Sequence, residues 1–164
     1  IPNDAVVVYV QLGAGQINDI DSEIRITVDC LLEYEEIFVV IGESMLGERI
    51  EISNPRVTIL RDYPNSLYFN AFDFSIQAGG YNSFHEMRNM KLPTLFYPNL
   101  NTGMDDQKSR CLVAEDEGWG IVNTNRNITN ISKDIKKLLK LEMPKDDNFT
   151  PQKNGTETIA DRIA

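Results

Sequence analysis

Short apolar runs recur along the chain, each closed by glycine, asparagine or proline, and between them lie segments whose apolar residues fall three or four apart. The first run, Ala5 to Val10, leads into the glycine loop Gly13-Ala14-Gly15 and has the continuous apolar character of a strand buried on both faces. Ile20 to Tyr34 carries Ile24, Val28, Leu31 and Leu32 near helical spacing, which predicts a helix. Ile37 to Ile41 and Arg56 to Leu60 read as the second and third strands, the latter announced by Asn54-Pro55. A short helix is expected over Ser66 to Ala71 and a fourth strand over Asp73 to Gln77. Asn82 to Met90 is helical in pattern and must stop before Pro93; Thr94 to Tyr97 is a fifth strand closed by Pro98. Asp106 to Glu115 reads as helix, Gly118 to Val122 as a last short strand, and Ile131 to Leu141 as a helix striped by Ile131, Ile135, Leu138 and Leu139. Strands alternating with helices predict an α/β domain with a Rossmann-like, mostly parallel sheet flanked by helices. After Met143 the composition turns to Pro, Lys, Asp, Asn, Thr and Gly. Residues 1–143 are therefore read as the domain and 144–164 as a linker and C-terminal tail, with Thr158 to Ile163 as the start of a further helix.

The length, 164 residues with 41% hydrophobic, suits one packed core. A net charge of -9 argues against a nucleic-acid partner, which calls for a basic face. It does not argue against a phosphate ligand, because backbone amides at a helix start hold anions without any lysine. Cys30 and Cys111 form neither a disulfide framework nor a zinc spacing and read as packed thiols. No metal-ligand cluster stands out. No run of about 18 apolar residues is present, so no membrane span is expected. With no secretory signal visible, the expected location is the cytoplasm. The sequons at Asn127, Asn130, Asn148 and Asn154 are read as coincidental on the same ground. The start at Ile1-Pro2-Asn3, without methionine, raises the expectation of an excised domain.

Open parallel sheets bind ligands outside the carboxyl ends of their strands, and two glycine loops fall there. In the first, Gly13-Ala14-Gly15, Asn18 stands where a dinucleotide fingerprint needs its third glycine, which argues against NAD. A tight strand-to-helix turn and a backbone surface for phosphate or sugar both stay open for it. The second, Ala78-Gly79-Gly80-Tyr81-Asn82-Ser83, lets the main chain approach a ligand and offers Asn82 or Ser83 as a cap for the next helix. The amides of that helix start suit a pyrophosphate. Glu86 lies three residues after Ser83, the spacing of a capping box, so a plain helix cap is the competing reading. Asp105-Asp106-Gln107 forms a second polar cluster past the next strand, with oxygens suited to sugar hydroxyls or simply to a solvated helix start. His85, the one histidine, reads as lightly packed or solvated and not as catalytic.

The string A-G-G-Y-N-S-F-H-E, then L-P-T-L-F-Y-P, then D-D-Q resembles the donor-binding signature of GT-B glycosyltransferases. It is similar both to the UDP-glycosyltransferase signature box and to the family 28 enzymes, which include the peptidoglycan GlcNAc transferase. Gly80, Tyr81, Asn82, Ser83, Glu86, Pro93, Pro98, Asp106 and Gln107 fall on the signature in order. The resemblance extends more weakly over Ala5 to Leu141.

That resemblance implies one half of a GT-B fold, a C-terminal donor-binding domain, and a metal-independent, inverting transfer of a hexosyl or N-acetylhexosaminyl group from a UDP-sugar to an acceptor hydroxyl. The UDP-sugar is substrate, and no cofactor is implied. It implies Glu86 on the ribose hydroxyls and Asn82 and Ser83, with the amides around Gly79, Gly80 and Tyr81, on the diphosphate. It also implies Asp106 and Gln107 on the donor sugar, and Gly13, Ala14 and Gly15 near the phosphates. The base is expected near Arg61 to Tyr63 by position alone. The acceptor-activating base is expected from an N-terminal acceptor domain or a separate acceptor subunit, through which any membrane attachment would run. The isolated chain is expected to bind donor without turning over. Ala78 departs from the signature, which carries a diphosphate-binding histidine there, and Asp106 departs from the Gln-Gln of family 28. A stand-alone donor subunit, a UDP-sugar epimerase or hydrolase, and a non-catalytic nucleotide-sugar sensor remain as alternatives.

Overall fold

The computed structural model describes residues 1–2, 4–13, 20–43, 49–100 and 105–144. The tail from 145 onward, with its expected helix and the sequons at Asn148 and Asn154, lies outside the described residues, as do Ala14 and Gly15. Six strands form one parallel sheet: β1 (Val6–Gln11), β2 (Ile37–Gly42), β3 (Val57–Leu60), β4 (Phe74–Ala78), β5 (Thr94–Tyr97) and β6 (Gly120–Val122). They lie in the order β3-β2-β1-β4-β5-β6. The chain winds outward from β1 to one edge, returns, and winds outward from β4 to the other. The order therefore reverses between β1 and β4, and a parallel sheet leaves its crevice at that switch point.

Among the described residues four α-helices and one 3-10 helix cover the two faces. On one face α1 (Ile20–Leu32) and α4 (Ile128–Leu138) bury Ile24, Val28, Leu31, Ile131, Ile135 and Leu138 against Val8, Val10, Val39, Ile76 and Leu95. On the other, α2 (Tyr81–Asn89), α3 (Gln107–Asp116) and the 3-10 helix Asn65–Ala71 bury Phe84, Met87, Cys111, Ala114 and Phe69 against Val7, Tyr9, Val40 and Phe96. Alternate residues of each strand serve opposite faces, so a strand covered on both sides is apolar along its covered length, as β1 is from Val6 to Val10. Trp119 is fully buried in the second layer, its ring against Phe84 and Phe96, and its Nε1 donates to Glu117 at 2.8 Å. The two thiols lie in different layers, Cys30 in the first and Cys111 in the second.

Local chemistry explains the element ends. Arg56 donates to the carbonyl oxygens of Leu32 at 2.7 Å and Tyr34 at 2.6 Å, so its charge closes the C-terminus of α1 at Leu32, short of the expected Tyr34. Asn127 caps α4 by accepting from the Asn130 amide at 2.9 Å. That cap starts α4 three residues before the expected Ile131, because the first turn, with Ile128 exposed and Thr129 and Asn130 polar, lies off the buried stripe. Gly118, with φ 78°, is a turn before β6, which begins only at Gly120. Segment Ser66 to Ala71 is helical but of the 3-10 type and begins at Asn65.

Candidate functional site

The carboxyl ends of β1 and β4 bring Gly13 close to the start of the Gly79-Gly80 turn. A Cβ built on Gly13, whose φ is 92°, would sit 4.0 Å from the Ala78 Cβ. From Ala78 the chain passes through Gly79 and Gly80 and folds straight back as α2. Gly80 is the N-cap, in extended geometry, and no side chain caps the helix. The expected cap by Asn82 or Ser83 is thus corrected: both lie inside the first turn, and the capping-box reading of Ser83 with Glu86 fails with it. The physical reason is that Gly79-Gly80 completes the turn one residue sooner, so the helix opens at Tyr81. Its first amides receive no side-chain acceptor, and the helix dipole adds positive potential there.

Gly79 is buried because α3 presses on it. An added Cβ would meet Cys111 Sγ at 2.5 Å and Gln107 Cβ at 3.3 Å. Burial pushes the Cys111 thiol up to about 12, so it is a packed, protonated wall behind the loop. The same helix supplies a cation that the motif did not flag. Arg110 Nη1 donates to the Gly79 carbonyl at 2.8 Å, its guanidinium pairs with Asp105, and it lies 5.4 Å from the centre of the Tyr81 ring. Hydrogen bonding from Arg110 holds the Asp105 carboxyl below its ordinary value. Tyr81 is largely exposed, and its ring meets that of His85 at 4.4 Å. Burial first, and then the charges of Arg110 and Arg88, lower the His85 imidazole, so it packs here as the neutral form near pH 7.

Glu86 is open to solvent at its tip and has no hydrogen-bond or ion-pair partner among the described residues. The protein around it still desolvates the carboxyl and raises it above the usual range. Its charge reaches Tyr9, whose hydroxyl burial holds far above the ordinary tyrosine value. That hydroxyl donates to Gln11 Oε1 at 3.1 Å and accepts from Asn65 Nδ2 at 2.9 Å. Gly42, at the end of β2, makes room for this pair: a Cβ there would lie 2.1 Å from the Tyr9 hydroxyl oxygen.

The other expected residues are present but engaged. Asp106 caps α3, accepting from the Ser109 amide at 3.0 Å and the Ser109 hydroxyl at 2.7 Å. Gln107 Oε1 accepts from the Asn99 amide at 2.9 Å, and its side chain also hydrogen-bonds Asp105. At the ends of β2 and β3, Arg61 clasps Glu43 through two bonds of 2.7 and 3.3 Å, and Glu43 Oε1 accepts from the Ile50 amide at 3.0 Å. That Arg61 contact, the largest influence, lowers the Glu43 carboxyl. The Tyr63 hydroxyl donates to the Glu43 carbonyl, leaving part of its ring at the surface. Gly13 thus lies beside Ala78, at the entry to the turn that opens α2, while Arg61 and Tyr63 belong to the neighbouring β2–β3 end. Arg110, Glu43, Asn65 and Gln77 carry polar chemistry here that the motif passed over. Only Gln77 left a trace, as a glutamine inside an apolar strand.

Among the described residues no group of three or more His, Cys, Asp and Glu is arranged to hold a metal, and no helix is long and apolar enough to cross a membrane. No family model and no curated protein matches the sequence. Solved structures do share its fold. The glycotransferase of kitacinnamycin matches with a TM-score of 0.69 at 17% identity, over 84% of this chain and 36% of that one. The spinosyn rhamnosyltransferase SpnG, solved with thymidine diphosphate, matches with a TM-score of 0.69 at 18% identity, over 90% of this chain and 39% of that one. A protein of Listeria monocytogenes described as a UDP-N-acetylglucosamine 2-epimerase matches with a TM-score of 0.59 at 12% identity, over 90% of this chain and 42% of that one. The chain spans less than half the length of each. The first two likenesses are to natural-product glycosyltransferases, and the three do not single out the family 28 enzymes that the motif also resembles. The chain has the fold of one domain of the GT-B glycosyltransferases, an α/β unit with a six-stranded parallel sheet.

Proposed function

We propose that this chain is the donor-binding half of an inverting, metal-independent glycosyltransferase that takes a hexosyl or N-acetylhexosaminyl group from a nucleoside-diphosphate sugar, UDP-sugar first, to an acceptor hydroxyl. The observation that carries the reading is the uncapped start of α2 at the switch point, preceded by two glycines and followed by the unpartnered carboxylate of Glu86. In this reading the diphosphate sits on the amides of Tyr81, Asn82 and Ser83, beside Gly13 to Gly15. Arg110 adds charge where Ala78 offers none, and Glu86 accepts from the ribose hydroxyls. Tyr63 and Arg61 border the base. Asp106 and Gln107 meet the sugar, and for that they exchange part of their local hydrogen bonds for sugar hydroxyls.

The acceptor oxygen attacks the anomeric carbon, the bond to the diphosphate breaks, and the departing charge is taken up by the α2 amides and Arg110. The base that removes the acceptor proton comes from another domain or subunit, so this chain binds donor and does not turn it over. The fold shared with SpnG, which holds thymidine diphosphate, supports a nucleoside diphosphate as ligand and keeps TDP-sugars beside UDP-sugars as candidates. Calorimetric titration with UDP, TDP, GDP and their sugars, against Glu86→Ala, tests it. Saturable binding of one donor series, weakened about ten-fold or more in the variant, is expected; no binding of any nucleotide refutes it. The fold shared with the Listeria protein favours one second reading, an epimerase or hydrolase. Conversion of donor by this chain alone, to an epimer or free sugar, would establish that reading instead.

A further inference from the structure

Gln77 is 1% exposed, and both its Nε2 and Oε1 are buried without a hydrogen-bond partner. A buried amide with neither end satisfied costs stability and requires a reason. Its place in the fold suggests one. Ser75, two residues earlier on β4, donates to Met87 Sδ of α2 at 3.1 Å, which fixes how that helix lies over the strand. Two residues along a strand advance about 6.6 Å, equal to about four residues of a helix running back the other way. Gln77 therefore lies beneath Ser83, in the first turn of α2.

On the neighbouring strand Gln11 is the register partner of Gln77, so both side chains emerge on the same face. Gln11 ends a directed series of hydrogen bonds: Asn65 Nδ2 donates to the Tyr9 hydroxyl, which donates to Gln11 Oε1. Gln11 Nε2 is the next donor in that series, and Gln77 Oε1 is an acceptor without one. If the two join, the last donor in the series is Gln77 Nε2, directly under the uncapped amides of α2. A row of donors polarised in one direction strengthens toward an anion at its end.

We propose that Gln77 is a buried binding residue for a phosphoryl anion seated on the first turn of α2, completed when Gln11 Nε2 donates to its Oε1 and its own Nε2 donates to an anion oxygen. The proposal rests on the donor-site reading above and adds to it a residue outside the motif. An amide kept unsatisfied until ligand arrives lowers the stability of the free chain, so stability and binding shift in opposite senses when it is removed.

The experiment uses the whole chain and its Gln77→Met and Gln77→Leu variants, with melting midpoints measured alone and calorimetric titrations with UDP and, separately, inorganic pyrophosphate. Expected are midpoints higher by about 2 °C or more and affinities for both probes lower by about ten-fold or more. Unchanged affinity for both probes overturns the proposal. So does a lowered midpoint in both variants, which would mean the amide is already satisfied. Pyrophosphate binding that is lost in the variants, with no preference for UDP in the parent chain, upholds Gln77 and removes the nucleotide reading. A parent chain that binds neither probe overturns both.

Discussion

In a Gly79→Ala variant the new methyl lands 2.5 Å from Cys111 Sγ, 3.3 Å from Gln107 Cβ and 3.4 Å from the Gln107 carbonyl oxygen. Cys111 is fully buried among Phe84, Phe96, Ala114 and Trp119, so its sulfur has nowhere to withdraw. Overpacking of this kind costs about 1–3 kcal/mol, and for a chain of this size that lowers the melting midpoint by roughly 2–12 °C. Cys111→Ala alone leaves a small void and costs about 1 kcal/mol. In the double variant the methyl occupies the space the sulfur leaves, so the two losses offset each other. A coupling of at least about 1 kcal/mol is expected, well outside the roughly 0.5 kcal/mol scatter of independent sites. Calorimetric or circular-dichroism melts of the four proteins measure it. Because Gly79 sets the start of α2, affinity for UDP should fall in Gly79→Ala and recover in the double variant. Additive losses, or a Gly79→Ala midpoint equal to that of the parent, would refute the packing argument.

Arg110→Gln should weaken UDP binding by about ten-fold, while Asp105→Asn, which removes the competing carboxylate, should tighten it. Equal weakening by both, in titrations at low and high salt, would remove Arg110 from the site. In the proposed site Glu86 would meet the ribose as a carboxylate, and desolvation raises its pKa. Affinity should therefore begin to fall on acidification above the ordinary glutamate value of about 4.3, and Glu86→Gln should flatten that part of the profile; the comparison cancels the titration of the ligand phosphate. Glu43, Asp105 and Asp106 are depressed, chiefly by hydrogen bonds from Arg61, Arg110 and Ser109 respectively. Their stabilising contribution is complete above the unfolded values of about 3.9–4.3 and is lost as pH falls through the lower folded ones. Acid melts of Glu43→Gln should be flatter than those of the parent across that window.

The central strands were legible because they are covered on both faces, which leaves apolar runs such as Val6 to Val10 that nothing else explains. Helix starts were less so. The cap of α2 is Gly80, which carries no side chain to betray it, and α4 opens on an exposed Ile128 followed by the polar Thr129 and Asn130. Strand order is invisible in a linear reading, since β1 pairs with β4 across 66 positions at the contact of the Val7 amide with Asp73. The glycine turn before α2 could be read from the sequence because it depends on local backbone geometry, whereas the spacing of Glu86 suggested a capping box that the Gly80 cap rules out. Arg110 could not, because what makes it notable is a carbonyl 31 residues away.

Trp119 is the chain's one tryptophan, and the rings it touches belong to α2 and β5. The protein therefore carries a built-in optical reporter packed against the buried side of the helix whose first turn is the proposed anion site. Its indole, dry and hydrogen-bonded to Glu117, emits as a buried chromophore for as long as Phe84 stays seated against it. Any tilt or fraying of α2 on adding a nucleotide is then readable in intrinsic fluorescence, without a label and without altering the proposed binding face.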